Sequence, residues 1–219
     1  MSNETALPAL SRVEARILGS LIEKEATTPE QYPLTQNAVQ LACNQKTSRE
    51  PLMALEPGEV GHALRQMEER KLVRSVHASR AQRYEHSTAK AYGITGQQQA
   101  VIAVLLLRGP QTVAEILTRT DRLAKFADAD DVVHCLDRLA SREPALAVRL
   151  PRASGQREER YMHLLGGPID VEALAATARA AMPASAQTGG VNERLIQLEE
   201  RVAALELALQ QLHNATDPL

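Results

Sequence analysis

Five cations, Arg70, Lys71, Arg74, Arg80 and Arg83, fall within fourteen consecutive residues that hold no acid, with His77 among them. Positive side chains at this density suit a polyanion, because each one that meets a phosphate displaces a condensed counterion. The same residues would also serve as solvated charge protecting an exposed strand edge. A second concentration of donors, Asn44-Gln45-Lys46-Thr47-Ser48-Arg49, could hold a phosphate or a peptide carboxylate, with Lys46 and Arg49 as the charged members. It could equally hydrogen-bond the loop to itself. Arg65 and Gln66 are side chains of the kind that read base edges.

Catalytic signatures are not found. The six histidines, His62, His77, His86, His134, His163 and His213, form neither HExxH nor a zinc-finger spacing with cysteine. His134 and Cys135 are neighbours on an expected helix, so their side chains point about 100° apart, which is poor geometry for a Cys-His pair. No glycine-rich phosphate loop occurs. No enzymatic activity, metal or cofactor is therefore expected. Cys43 and Cys135 lie in apolar periodic segments and are expected as buried reduced thiols. The chain opens without a signal peptide's basic and apolar regions, and no apolar run approaches the roughly 20 residues that span a bilayer, so a cytoplasmic address without membrane contact is expected.

The elements that position these residues are mostly helical. With 44% apolar residues but four Tyr, one Phe and no Trp in 219 residues, the core must come from Leu, Val, Ile and Ala, which favours helices over a large sandwich. Ser11-Arg12-Val13-Glu14 has capping-box spacing ahead of the stripe Val13, Ile17, Leu18 and Leu21. Thr35 caps a second helix to about Cys43, and Glu56-Pro57 opens a third with Val60, Ala63, Leu64 and Met67. Leu72 to Val76 and Gln82 to His86 then make a hairpin. The order recurs: Thr95 precedes Val101-Ile102, Thr112 caps Val113 to Leu117, and Val132, Leu136 and Leu139 repeat Val60, Leu64 and Met67. Arg83-Tyr84-Glu85-His86 returns as Arg160-Tyr161-Met162-His163. The first strands carry Val73-Arg74 and Val148-Arg149, and each terminal histidine is expected to bond within its own hairpin.

Three helices and a hairpin is the order of a winged helix. The expected fold is thus mainly α with small hairpin wings (α+β): winged-helix domains over 10–88 and 94–166 after a disordered segment 1–9. A short helix and flexible linker follow over 167–190. In 191–214, Leu195, Leu198, Val202, Leu205, Leu209 and Leu212 continue a heptad seam that either pairs two chains in a coiled coil or folds back as a lone amphipathic helix.

At this point the chain resembles the YceH family of bacterial tandem winged-helix proteins. The resemblance rests on Thr27-Thr28-Pro29-Glu30-Gln31-Tyr32-Pro33-Leu34, on Ala42-Cys43-Asn44-Gln45-Lys46-Thr47 with Arg49-Glu50-Pro51, on Leu107-Arg108-Gly109 with Gln111-Thr112, and on Arg160-Tyr161-Met162-His163-Leu164. It covers roughly Leu10 to Leu165. It implies the fold but no activity, so function rests on residues.

Those residues point two ways. The third helices carry net negative charge, Glu56, Glu59, Glu68 and Glu69 against Arg65 in one and Asp128, Asp130, Asp131 and Asp137 against Arg138 in the other, which opposes a polyanion. The first hairpin is the reverse. The expectation is a DNA-associated regulator or nucleoid-associated factor, a homodimer contacting double-stranded DNA through Lys46, Arg49, Arg65, Gln66, Lys71, Arg74, Arg80 and Arg83. The alternative is a protein-interaction adaptor like the winged-helix adaptors of bacterial chromosome segregation and condensation, taking a protein partner and no DNA. A third option is an effector pocket between the domains, for which the sequence shows no convergent polar set.

Overall fold

The computed structural model describes residues 9–78, 81–152, 158–167 and 169, the side chains of His77 and Ala78 excepted. All of these belong to one compact unit ending at Ile169. Most of the segment expected to be disordered, Arg80, and the heptad positions Leu195, Leu198, Val202, Leu205, Leu209 and Leu212 lie outside the described residues.

The chain is α+β, with seven helices and five short strands among the described residues. The first half opens with α1 (Arg12–Thr27), where Ser11 and Glu14 close the reciprocal cap their spacing foretold. Two short elements not read from the sequence follow, a 3-10 turn at Pro29–Gln31 and β1 (Leu34–Thr35). Thr35 caps α2 (Gln36–Cys43), α3 spans Pro57–Glu69, and β2 (Val73–Ala78) pairs with β3 (Ala81–His86). Strand β1 joins the other edge of β3, giving an antiparallel sheet in the order β1-β3-β2. Residues 87–93, expected only as a boundary, form α4 (Thr88–Tyr92), ended by Gly93 at φ 60°, the left-handed conformation in which a helix stops most easily.

The second half repeats the plan as α5 (Gly96–Arg108), α6 (Val113–Thr120), α7 (Ala129–Ala140), β4 (Ala147–Leu150) and β5 (Arg160–His163). Thr95, Thr112 and Asp128 supply the caps. The strand pairings show how closely it repeats. Leu34 pairs with Tyr84, and Gln111 bridges Tyr161 at the matching place. Val73 faces His86 and Ala147 faces His163, so the two Val-Arg pairs noted in the sequence are not equivalent. Arg149 instead matches Ser75, opposite the tyrosine, and the one-residue offset puts the two arginines on opposite faces of their ribbons.

The halves share one core. Ile17, Leu18, Leu21 and Ile22 of α1 and Val101, Ile102, Leu105 and Leu106 of α5 are buried in a single cluster with Leu64, Met67, Leu136 and Leu139. Gly19 permits the close approach, since a Cβ there would lie 2.9 Å from Cγ of Leu107 and 3.0 Å from Cβ of Leu106. No helix among the described residues is long and apolar enough to cross a membrane.

Candidate nucleic-acid interface

The long connection between α2 and α3 is held from beneath by two buried arginines. Arg16 donates to the carbonyls of Cys43 (3.0 Å) and Pro51 (2.6 Å). The Arg49 side chain is fully buried and donates to the Ala42 carbonyl at 2.9 Å, the Ser48 carbonyl at 2.9 Å and the Glu23 carboxylate at 3.1 Å. Asn44 stitches the far end, accepting the Leu55 N–H at 2.8 Å and donating back to its carbonyl at 2.9 Å. Of the donors singled out here, Lys46 stands exposed and Arg49 faces inward. Burial lowers the pKa of Arg16, and the neighbouring Arg49 adds to the effect. It also pushes the Cys43 and Cys135 thiols up to about 11, so both are neutral.

Helix α3 presents His62, Arg65 and Gln66 to solvent. Glu56 at its cap, Glu59 and Glu69 are exposed as well, and two of its carboxylates also accept bonds within the fold. Glu59 accepts the Glu56 N–H at 2.8 Å in the first turn, and Glu68 turns down to accept the N–H of Ser75 at 3.0 Å as well as its hydroxyl. Of the four acids only Glu68 is withdrawn from the outward face, which keeps Glu69 beside Arg65 and Gln66 and the acids of the first turn. In α7 the carboxylates of the first turn also accept such bonds, Asp128 from the Asp131 N–H and Asp131 from the Ala127 N–H, both at 3.0 Å. Asp130 and Asp137 remain exposed there. Asp137 holds the position that Arg65 holds in α3, and His134 that of His62, so the copies keep the geometry and invert the charge.

The cations of the first hairpin are not equally placed. Lys71 is exposed at φ 60° and Arg74 is 70% exposed, its Nε donating to Glu85 at 2.8 Å across the strands. Arg70 instead turns toward α1, paired with Glu14 on the wall of a cavity of about 500 Å3 between the start of α1 and the end of α3. Arg83 is half-buried, donating to the Pro33 carbonyl at 2.7 Å. Arg160 does the same to Pro110 at 2.9 Å and also reaches Glu115 at 2.8 Å. Each copy thus uses its Arg-Tyr pair to fasten the hairpin to the strand or bridge residue before the second helix. That duty was readable from the recurrence of Pro-x-Thr at 33–35 and 110–112 beside the recurrence of Arg-Tyr.

The terminal histidines depart from the expectation of bonding within their own hairpins. His86 Nε2 lies 2.9 Å from Glu25 of α1 and its Nδ1 accepts the Thr88 N–H, because β3 ends against that helix. His163 is buried, and among the described residues its Nδ1 has no hydrogen-bond partner.

Comparison with known proteins decides the lineage. A family model described as a protein of unknown function, DUF480, matches residues 10–156. The chain belongs to this family. Among the UPF0502 relatives, proteins of Xanthomonas campestris pv. campestris are 53% identical over all of this chain and 96% of the relative. One from Xanthomonas oryzae pv. oryzae is 55% identical over 97% of this chain and 96% of its own length. Another, from Stenotrophomonas maltophilia, is 54% identical over 94% and 95%. The DUF480 match spans both copies of the helical plan and stops within the second hairpin.

Proposed function

We propose that each half is a winged helix of the YceH type, and that the first half grips double-stranded DNA by its phosphates in a regulatory or nucleoid-associated role without catalysis. The observation that carries the reading is the set of groups turned outward on one half. Arg65 and Gln66 of α3, Lys71 and Arg74 at the base of the hairpin and Lys46 on the loop before α3 are exposed, with Glu69 the exposed acid of the last turn of α3 and Glu68 withdrawn to Ser75. A helix flanked by a basic hairpin fits a groove and its bordering phosphates. Dimerisation through Leu195, Leu198, Val202, Leu205, Leu209 and Leu212 would present two such surfaces to one duplex.

The test is binding to a random-sequence duplex, followed by fluorescence anisotropy between about 50 and 200 mM salt. Lys71→Ala with Arg74→Ala should weaken binding and lower the salt slope by about two. Arg83 is left intact because alanine there strips Pro33 of its donor. An unchanged slope, or no binding at the lower salt, would reject the phosphate grip. The adaptor reading is favoured by one observation, the exposed Asp130 and Asp137 of α7, which suit a basic protein partner better than a duplex.

A further inference from the structure

The chain entering α1 and the chain leaving β5 meet over His163. Beyond β5 the backbone turns at Leu164 to Gly167, with Gly167 at φ 95°. The Leu164 N–H donates to the Leu146 carbonyl at 2.9 Å, and the Leu10 N–H, just ahead of α1, donates to the Leu165 carbonyl at 2.7 Å. Leu10 and Leu165 are both buried. The imidazole lies against this turn, since a Cβ at Gly166 would be 3.9 Å from its Cε1 and 3.6 Å from the Leu10 carbonyl oxygen.

In the first copy a carboxylate stands ready for the equivalent ring. His86 Nε2 lies 2.9 Å from Glu25, and its Nδ1 accepts the Thr88 N–H. Counted from the caps Ser11 and Thr95, Glu25 corresponds to Gly109, which ends α5 and has no side chain to offer. Across its ribbon His163 faces Ala147, buried and apolar, and its buried Nδ1 has no hydrogen-bond partner among the described residues. Burial alone lowers its pKa, with no charged group contributing. A proton added to this ring would make a buried cation without a counter-charge, a cost relieved only by moving the ring to water.

We propose that His163 makes the contact between Leu10 and Leu165 an acid-operated latch: on taking a proton the ring leaves its site, and the turn at Leu164 to Gly167 parts from Leu10 while the helical core stays closed. The turn yields first because it lies at the edge of the unit and backbone bonds at Leu146 and Leu10 fasten it, whereas α1 and α5 are packed along their lengths. Acidity would then set whether the two ends of the folded unit are held together. The proposal is independent of the nucleic-acid reading.

Hydrogen exchange of the full-length chain, corrected for the intrinsic rate at each pH, tests it. The Leu10 and Leu164 amides, which donate to the latch, should open far more readily than those of Leu64 in α3 and Leu105 in α5. Their opening constant should rise by close to tenfold per pH unit on acidification between about pH 6 and 4.5, the signature of one proton. In His163→Leu the same two amides should open with no such slope. If that variant does not fold, His163→Phe, which also lacks a titratable nitrogen, carries the comparison. Opening of Leu10 and Leu164 only together with Leu64 and Leu105 would mean that no separate latch exists. A flat profile in the native chain, or an equal slope in the variant that folds, would overturn the role of His163.

Discussion

At the scale of single residues, duplication has given matched positions different duties. His86 and His163 end equivalent strands. The first has partners for both ring nitrogens, whereas burial pushes the second down to about 4 from 6.5. Between those values the unfolded chain takes up a proton that the folded chain refuses, so this residue makes stability fall as pH drops from 6.5 toward 4 and contributes no slope above that range. The total loss is about 3 kcal/mol. Urea midpoints measured across this window should show the decline in the native chain and a flatter profile in His163→Leu; equal slopes would contradict it. Cations as a class were legible in the sequence, but their accessibility was not. Arg49, Arg74 and Arg83 look alike in a string of letters, and only the fold distinguishes a buried clamp, a cross-strand pair and a carbonyl anchor. Arg16 was missed altogether, because an arginine within an apolar helical stripe carries no local sign that it will meet the carbonyls of Cys43 and Pro51.

At the scale of elements, the sequence was most informative where local chemistry decides. The caps at Ser11, Thr35, Thr95 and Thr112 satisfy orphan N–H groups through side chains a few residues away, and so they can be read by spacing alone. Strand β1 and the bridge at Gln111 depend on partners some fifty residues distant and escaped notice. The α1–α5 packing is non-local in the same way, resting on a single missing methyl group. Gly19→Ala drives a Cβ into Leu106 and Leu107, which should cost about 1–3 kcal/mol and lower Tm by several degrees. An unchanged melting curve would mean that the helices have room to separate.

At the scale of the whole described unit, one buried cluster runs through both copies, although the sequence read them as successive domains. Cooperativity follows from shared burial, so both halves should unfold together. Exchange of the amides in α3 and in α7 should report one common opening free energy for their slowest protons. Two well-separated values would show that the copies open independently.

The seam made by α1 and α5 also sets a ruler. Copies tethered by a loose segment search space separately, and a second contact gains only from effective concentration. Here the outward faces of α3 and α7 are held at a fixed separation and angle. Anything that engaged both at once, such as a duplex on one side and a basic protein on the other, would have to match a spacing dictated by packed leucines and one glycine.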